Sequence, residues 1–138
     1  MATFKFELVS PAKLLFSGEV EEVIVPGAEG EFTVLAGHAP LVSTLRPGFL
    51  RFRNGSDDIV AFVRGGFAEV NEKGLIVLAE EASRLEEINA AEFAASISAL
   101  EAKMSSATSD EARNKMAETV YQLKAVQAQL GGGGAAAH

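Results

Sequence analysis

The chain has 138 residues, 48% of them hydrophobic and 22% charged, with no cysteine and a formal net charge of −7. That length supports one real core with room for an appendage, and no apolar run approaches the ~18 residues of a membrane-spanning helix. The acidic balance argues against nucleic acid as a partner, and the lack of cysteine excludes disulfides, thiolate nucleophiles and Cys-ligated zinc.

The chain opens on alternation. Phe4, Phe6 and Leu8 are apolar and Lys5 and Glu7 polar, the period of a half-buried strand and not of an apolar secretory leader. The expected chain is therefore cytoplasmic. Strands are expected over 3–9, 14–16, 19–25, 31–35, 41–45, 49–52, 59–63, 67–71 and 75–79. Turn pairs separate them: Pro26 with Gly27, Pro47 with Gly48, and Asn54 with Gly55, where proline presets φ and glycine accepts a positive φ. The Asn54 and Gly55 pair predicts a hairpin whose loop exceeds the minimal two residues. Short strands without intervening helices predict an antiparallel sandwich or barrel.

Composition changes near residue 85. All four prolines, nine of thirteen glycines and eight of nine phenylalanines precede it, whereas eleven alanines fall within 86–130. Glycine and proline punctuate strands, and alanine favours helix. Phe93, Ile97, Leu100 and Met104 form one stripe at helical spacing, and Met116, Val120, Leu123 and Leu130 form another. Asn89 with Glu92, and Thr108 with Glu111, have capping-box spacing. A tight link at 105–107 makes the pair an antiparallel hairpin. The expected organisation is a mostly β fold with an α appendage: an antiparallel β-sandwich domain over 1–84, a two-helix hairpin domain over 85–130, and a flexible tail over 131–138. The expected core positions are Phe4, Phe6, Leu8, Val23, Val25, Val34, Ile76 and Leu78.

Little in the inventory supports chemistry. His38 has no nucleophile or orienting group near it in sequence and reads as a loop histidine bonded to backbone. The adjacent acids Glu21 with Glu22, and Glu80 with Glu81, would point to opposite faces of a strand instead of one cleft; each pair is expected to be one exposed and one edge residue. No phosphate-binding glycine motif occurs, and Gly65 with Gly66 reads as a bulge or a close backbone approach. Arg51, Arg53 and Arg64 fit an interaction patch or a solvated strand face equally well. Catalytic residues, metal ligands and cofactors are therefore all expected to be absent. A freestanding β-sandwich protein-binding module is the alternative that composition alone leaves open.

Residues 9–11 (VSP), 16–21 (FSGEVE) and above all 26–41 (PGAEGEFTVLAGHAPL) resemble the epsilon subunit of the F-type ATP synthase, and Pro47 with Gly48, then Arg51, 65–70 (GGFAEV) and 77–80 (VLAE), continue the likeness in order. It is close over 3–82 and reduces to the two-helix layout over 83–130. The resemblance implies a β-sandwich followed by a helical hairpin. It also implies a non-catalytic place in the central rotor, peripheral to the bacterial inner membrane on its cytoplasmic side. The partners it implies are the gamma subunit, the c-ring and, through the hairpin, the alpha/beta catalytic head. No nucleic acid and no direct membrane insertion are implied, and the coupled ion is the proton. The c-ring contact carries over to Glu29, Gly30, Glu31, His38, Ala39 and Pro40. Some members bind ATP through an Ile/Leu-Asp-x-x-Arg-Ala motif at the start of the first helix. Here the matching stretch is 88–93 (INAAEF), with Asn89 for the acid, Glu92 for the arginine and Phe93 for the alanine. A carboxylate in place of the guanidinium repels a triphosphate. The hairpin also lacks a basic excess, which weakens the case for inhibition of hydrolysis.

Overall fold

The computed structural model describes residues 2–130; the tail expected at 131–138 lies outside them. Ten strands precede two helices: β1 (Phe4–Val9), β2 (Leu14–Val20), β3 (Glu22–Gly27), β4 (Gly30–Leu35), β5 (Leu41–Thr44), β6 (Gly48–Asn54), β7 (Asp57–Arg64), β8 (Phe67–Asn71), β9 (Gly74–Leu78), β10 (Glu81–Arg84), α1 (Ala90–Ser105) and α2 (Asp110–Ala128). The strands form two five-stranded sheets ordered β2-β1-β9-β8-β5 and β10-β7-β6-β3-β4. All pairings are antiparallel except β1 with β9, which run parallel. The chain divides into two compact units with the boundary between Glu87 and Ile88, after a 3-10 turn at Leu85–Glu87.

The sandwich core is built by alternation, as expected. Phe6, Leu8, Val23, Val25 and Val34 are buried, and the rings of Phe6, Phe16 and Phe52 meet with centroids 4.6 to 5.7 Å apart. Phe4 is only half-buried. On β9 the expected face is the wrong one: Leu75 and Val77 are buried, whereas Ile76 is half-buried and Leu78 is 36% exposed. Residues 75–78 are apolar throughout, so alternation carries no information there. Pairing decides instead, placing Leu75 beside Phe6 and Val77 beside Leu8.

Other boundaries move for identifiable reasons. β2 runs through Ser17 and Gly18 and breaks at Glu21. Gly18 sits mid-strand because the Phe16 ring lies against it; a Cβ there would come within 3.3 Å of Phe16 Cζ. The β6–β7 loop is the minimal two residues, with Asn54 paired to Asp57 and Gly55 at φ +66°. β10 is an addition to the expected strands: its sequence, Glu-Ala-Ser-Arg, shows no apolar alternation, and pairing along β7 makes it a strand.

In the second unit, Asn89 caps α1 as expected, its Oδ1 accepting from the Glu92 N–H at 2.9 Å. The cap of α2 is Ser109, one residue beyond the expected Thr108, with its Oγ accepting from the Ala112 N–H at 3.1 Å. Phe93 and Ile97 on α1, and Val120, Leu123 and Val126 on α2, are buried, while Leu100, Met104 and Met116 are half-buried. A Lys124–Glu101 ion pair at 2.9 Å joins the helices.

Candidate interaction site

The stretch 26–41 builds one flank of the sandwich. β4 and β5 are edge strands of different sheets. At one end they are tied by the Ala28 N–H donating to the Thr44 carbonyl at 2.9 Å and by the Gly27–Leu45 bridge. At the other end the turn that follows β4 closes when the His38 N–H donates to the Leu35 carbonyl at 3.1 Å, with Gly37 at φ +83°. Along β4, Phe32 and Val34 turn inward while Glu31, Thr33 and Leu35 turn outward and are exposed. On β5, Leu41, Val42 and Thr44 are exposed as well. Neither edge carries proline or lysine to block a partner.

The six residues singled out in sequence do not form a single cluster. Glu29, Gly30 and Glu31 lie at the β3–β4 turn, and His38, Ala39 and Pro40 lie beyond the opposite end of β4. Strand between Glu31 and Leu35 alone separates the groups by about 13 Å at ~3.3 Å per residue. The two groups bracket the flank. Glu29 and Glu31 take part in no ion pair among the described residues. His38 Nδ1 lies 2.6 Å from the Ala39 carbonyl oxygen, a contact in which Nδ1–H donates to the carbonyl. A cleft of about 410 Å³ opens beside it, lined by Phe4, Val34, Pro40, Val70 and Lys73 among others.

Sequence reasoning missed Leu35, Leu41 and Val42, which are 52%, 38% and 65% exposed on this flank. Inward Val34 makes its neighbour Leu35 point outward, so alternation could have found the first. The adjacent acids also differ from expectation. Glu21 and Glu22 are both half-buried and both engage Arg53, at 3.2 and 3.6 Å, while Glu80 and Glu81 are both exposed. Arg64 meets Glu81 at 3.7 Å and is half-buried like Arg53, while Arg51 is exposed. Among the described residues no group of three or more histidines, aspartates or glutamates is arranged to hold a metal ion.

Two five-stranded sheets and a capped pair of helices define the class as a β-sandwich with an α-helical appendage. The beta-sandwich domain model of the ATP synthase delta/epsilon chain matches residues 3–85. The ATP synthase epsilon chain of Bradyrhizobium sp. (strain ORS 278) is 50% identical over 130 residues, covering 94% of this chain and 96% of its own. ATP synthase epsilon chain 1 of Nitrobacter hamburgensis is 49% identical over the same shares. Among solved structures, a chain of the Euglena gracilis mitochondrial ATP synthase (OSCP/F1/c-ring, rotational state 1) matches with a TM-score of 0.74 at 27% identity, over 94% of this chain and 82% of that one. The chain belongs to the ATP synthase epsilon chain family. It is a subunit of ATP synthase, part of an enzyme complex.

Proposed function

We propose that the chain is a rotor subunit of the F-type ATP synthase central stalk, standing between gamma and the c-ring and passing torque between proton translocation and ATP synthesis. It has no catalytic site of its own and lies on the cytoplasmic side of a bacterial inner membrane. The observation that carries this reading is identity to epsilon chains near 50% over 94% of the chain. No helix among the described residues is long and apolar enough to cross a membrane, and attachment runs through protein contacts.

The flank made by β4 and β5 meets the c-ring. Its mixture of carboxylates and exposed aliphatic side chains suits the polar loops of a ring, where Glu29 and Glu31 steer and fix register while Leu35, Leu41 and Val42 are covered. Cysteines at Glu31 and at His38 are each expected to crosslink to cysteines in those loops. Because a whole strand lies between them, the two sites prefer different ring positions. No crosslink from either site in an otherwise assembled complex would remove the assignment, and failure to co-purify with gamma and the c-ring from membranes would remove the subunit reading itself.

The hairpin does not respond to nucleotide. Asn89 is occupied in capping, Glu92 lies at the first turn of α1, and Phe93 is buried. The positions where ATP-binding relatives keep an acid, an arginine and an alanine thus serve capping and packing here. Titration calorimetry of the chain with ATP is expected to show no saturable heat, and a saturable millimolar or tighter heat would overturn the reading.

A further inference from the structure

The last strand of the sandwich is weakly anchored by packing. β10 is a four-residue edge strand whose ladder runs along β7 alone, from Glu81 opposite Arg64 to Arg84 opposite Ala61. Ala82 is its one apolar side chain, and it is half-buried against the core. β4, the other edge of the same sheet, sets Val34 within the core and Phe32 against it. The hold of a strand on its sheet comes chiefly from side-chain packing, so β10 has little of what secures β4.

Charge stands where burial is missing. At the start of β10, Glu81 meets Arg64 at 3.7 Å. Beyond its end the 3-10 turn at Leu85–Glu87 folds back, and Glu87 Oε1 accepts from the Arg84 N–H at 3.3 Å and lies 3.9 Å from Lys13 Nζ. Lys13 stands on a closed turn, since Ser10 and Lys13 exchange two backbone hydrogen bonds of 2.9 and 3.2 Å. Both carboxylates are largely exposed, and exposed ion pairs contribute little singly and weaken with salt. The segment has firm ends. Upstream, Ala79 is buried and its N–H donates to the Val9 carbonyl at 2.9 Å, whereas the next bond, from the Glu80 N–H to the Gly65 carbonyl, is stretched to 3.4 Å. Downstream, Asn89 is held as the cap of α1. The boundary between the two compact units falls inside this stretch, after Glu87.

We infer that residues 80–88 are an ionic strap, which lifts off β7 as one piece while the rest of the sandwich stays folded, with the Glu81 and Glu87 pairs setting how often it opens. Attached, it leaves Ile88 alone between Glu87 and the cap Asn89. Detached, it turns 80–88 into open chain able to span about 30 Å at ~3.3 Å per residue. The strap thus sets the length of the connection to α1, and the inference does not depend on the place in the stalk.

Hydrogen exchange of the full-length chain, followed amide by amide, tests it. The β10 amides and the Arg84 N–H are expected to exchange at least about a hundredfold faster than the amides laddered between β6 and β7. Raising the salt to about 0.5 M is expected to widen that ratio several-fold. Lys13→Glu and Glu81→Arg, which set like charges against Glu87 and Arg64, are each expected to speed β10 exchange several-fold and to leave the β6–β7 amides unchanged. Combining Arg64→Glu with Glu81→Arg is expected to bring β10 back toward the wild-type rate. The β6–β7 amides report any loss of global stability in the same spectrum, so a variant that merely unfolds is not mistaken for an open strap. One common rate for the β10 and β6–β7 amides overturns the strap, because the segment then opens only with the whole unit. Fast β10 exchange that ignores both salt and every charge change overturns the ionic control in favour of plain fraying.

Discussion

Replacing Gly66 by alanine is expected to abolish folding or to cost at least about 3 kcal/mol, read from urea denaturation of the full chain. Gly66 has φ +89°, and a Cβ added there would lie 1.8 Å from the Leu78 carbonyl oxygen and 2.9 Å from its carbon. Two costs combine. A side chain in the left-handed region is disfavoured by roughly 1–2 kcal/mol. The collision is with backbone, which cannot rotate away, and it falls where the Gly66 carbonyl accepts from the Leu45 N–H at 3.1 Å. Relieving it means separating β8 from β9 and loosening the end of β5. Gly55 supplies the internal contrast, with φ +66° and no atom within 4 Å of where a Cβ would stand. Gly55→Ala carries only the conformational cost, about 1 kcal/mol. Equal losses at the two sites would show that the approach to Leu78 is not what demands glycine.

Phe6→Ala is expected to cost about 3–5 kcal/mol. Phe6 is fully buried, and its ring lies 5.0 Å from Phe52 and 5.7 Å from Phe16, so its removal leaves a cavity between the two sheets. A matched pair on β9 tests the face assignment. Leu75→Ala is expected to cost about 2–5 kcal/mol, and Leu78→Ala far less, because only Leu75 packs in the core. A loss below about 1 kcal/mol for Phe6→Ala, or a larger loss at Leu78 than at Leu75, would show that the register of β1 against β9 is wrong.

The fold is legible wherever a sequence signal has a single physical cause. Strands that alternate strictly reveal their buried face, as with Phe6 and Leu8 on β1 and Val23 and Val25 on β3. Signals with two causes mislead. Gly18 resembles a turn and is a space for the Phe16 ring, and 75–78 is apolar at every position, leaving the choice of face to long-range pairing. β10 is a strand only because β7 offers it an edge, which no local preference encodes. The interaction flank is half legible. Its motif residues stand out as one continuous stretch, but the strand running through that stretch sets Glu29 to Glu31 and His38 to Pro40 at opposite ends, and of the exposed aliphatic residues only Leu35 is marked locally, by its inward neighbour Val34.

The parallel pairing of β1 with β9 also governs how the molecule is made. Phe6 finds its partner in Leu75, close to the whole length of the sandwich unit away in sequence. During synthesis the first strand has one local neighbour, β2, and must wait for nearly all of the unit to emerge before its other edge is covered. Closing so long a loop is entropically slow, whereas α1 and α2 join neighbouring residues and fold quickly. The nascent sandwich therefore exposes a half-paired, aromatic-rich β1–β2 ribbon for most of its translation, the stage at which it is most open to misassociation.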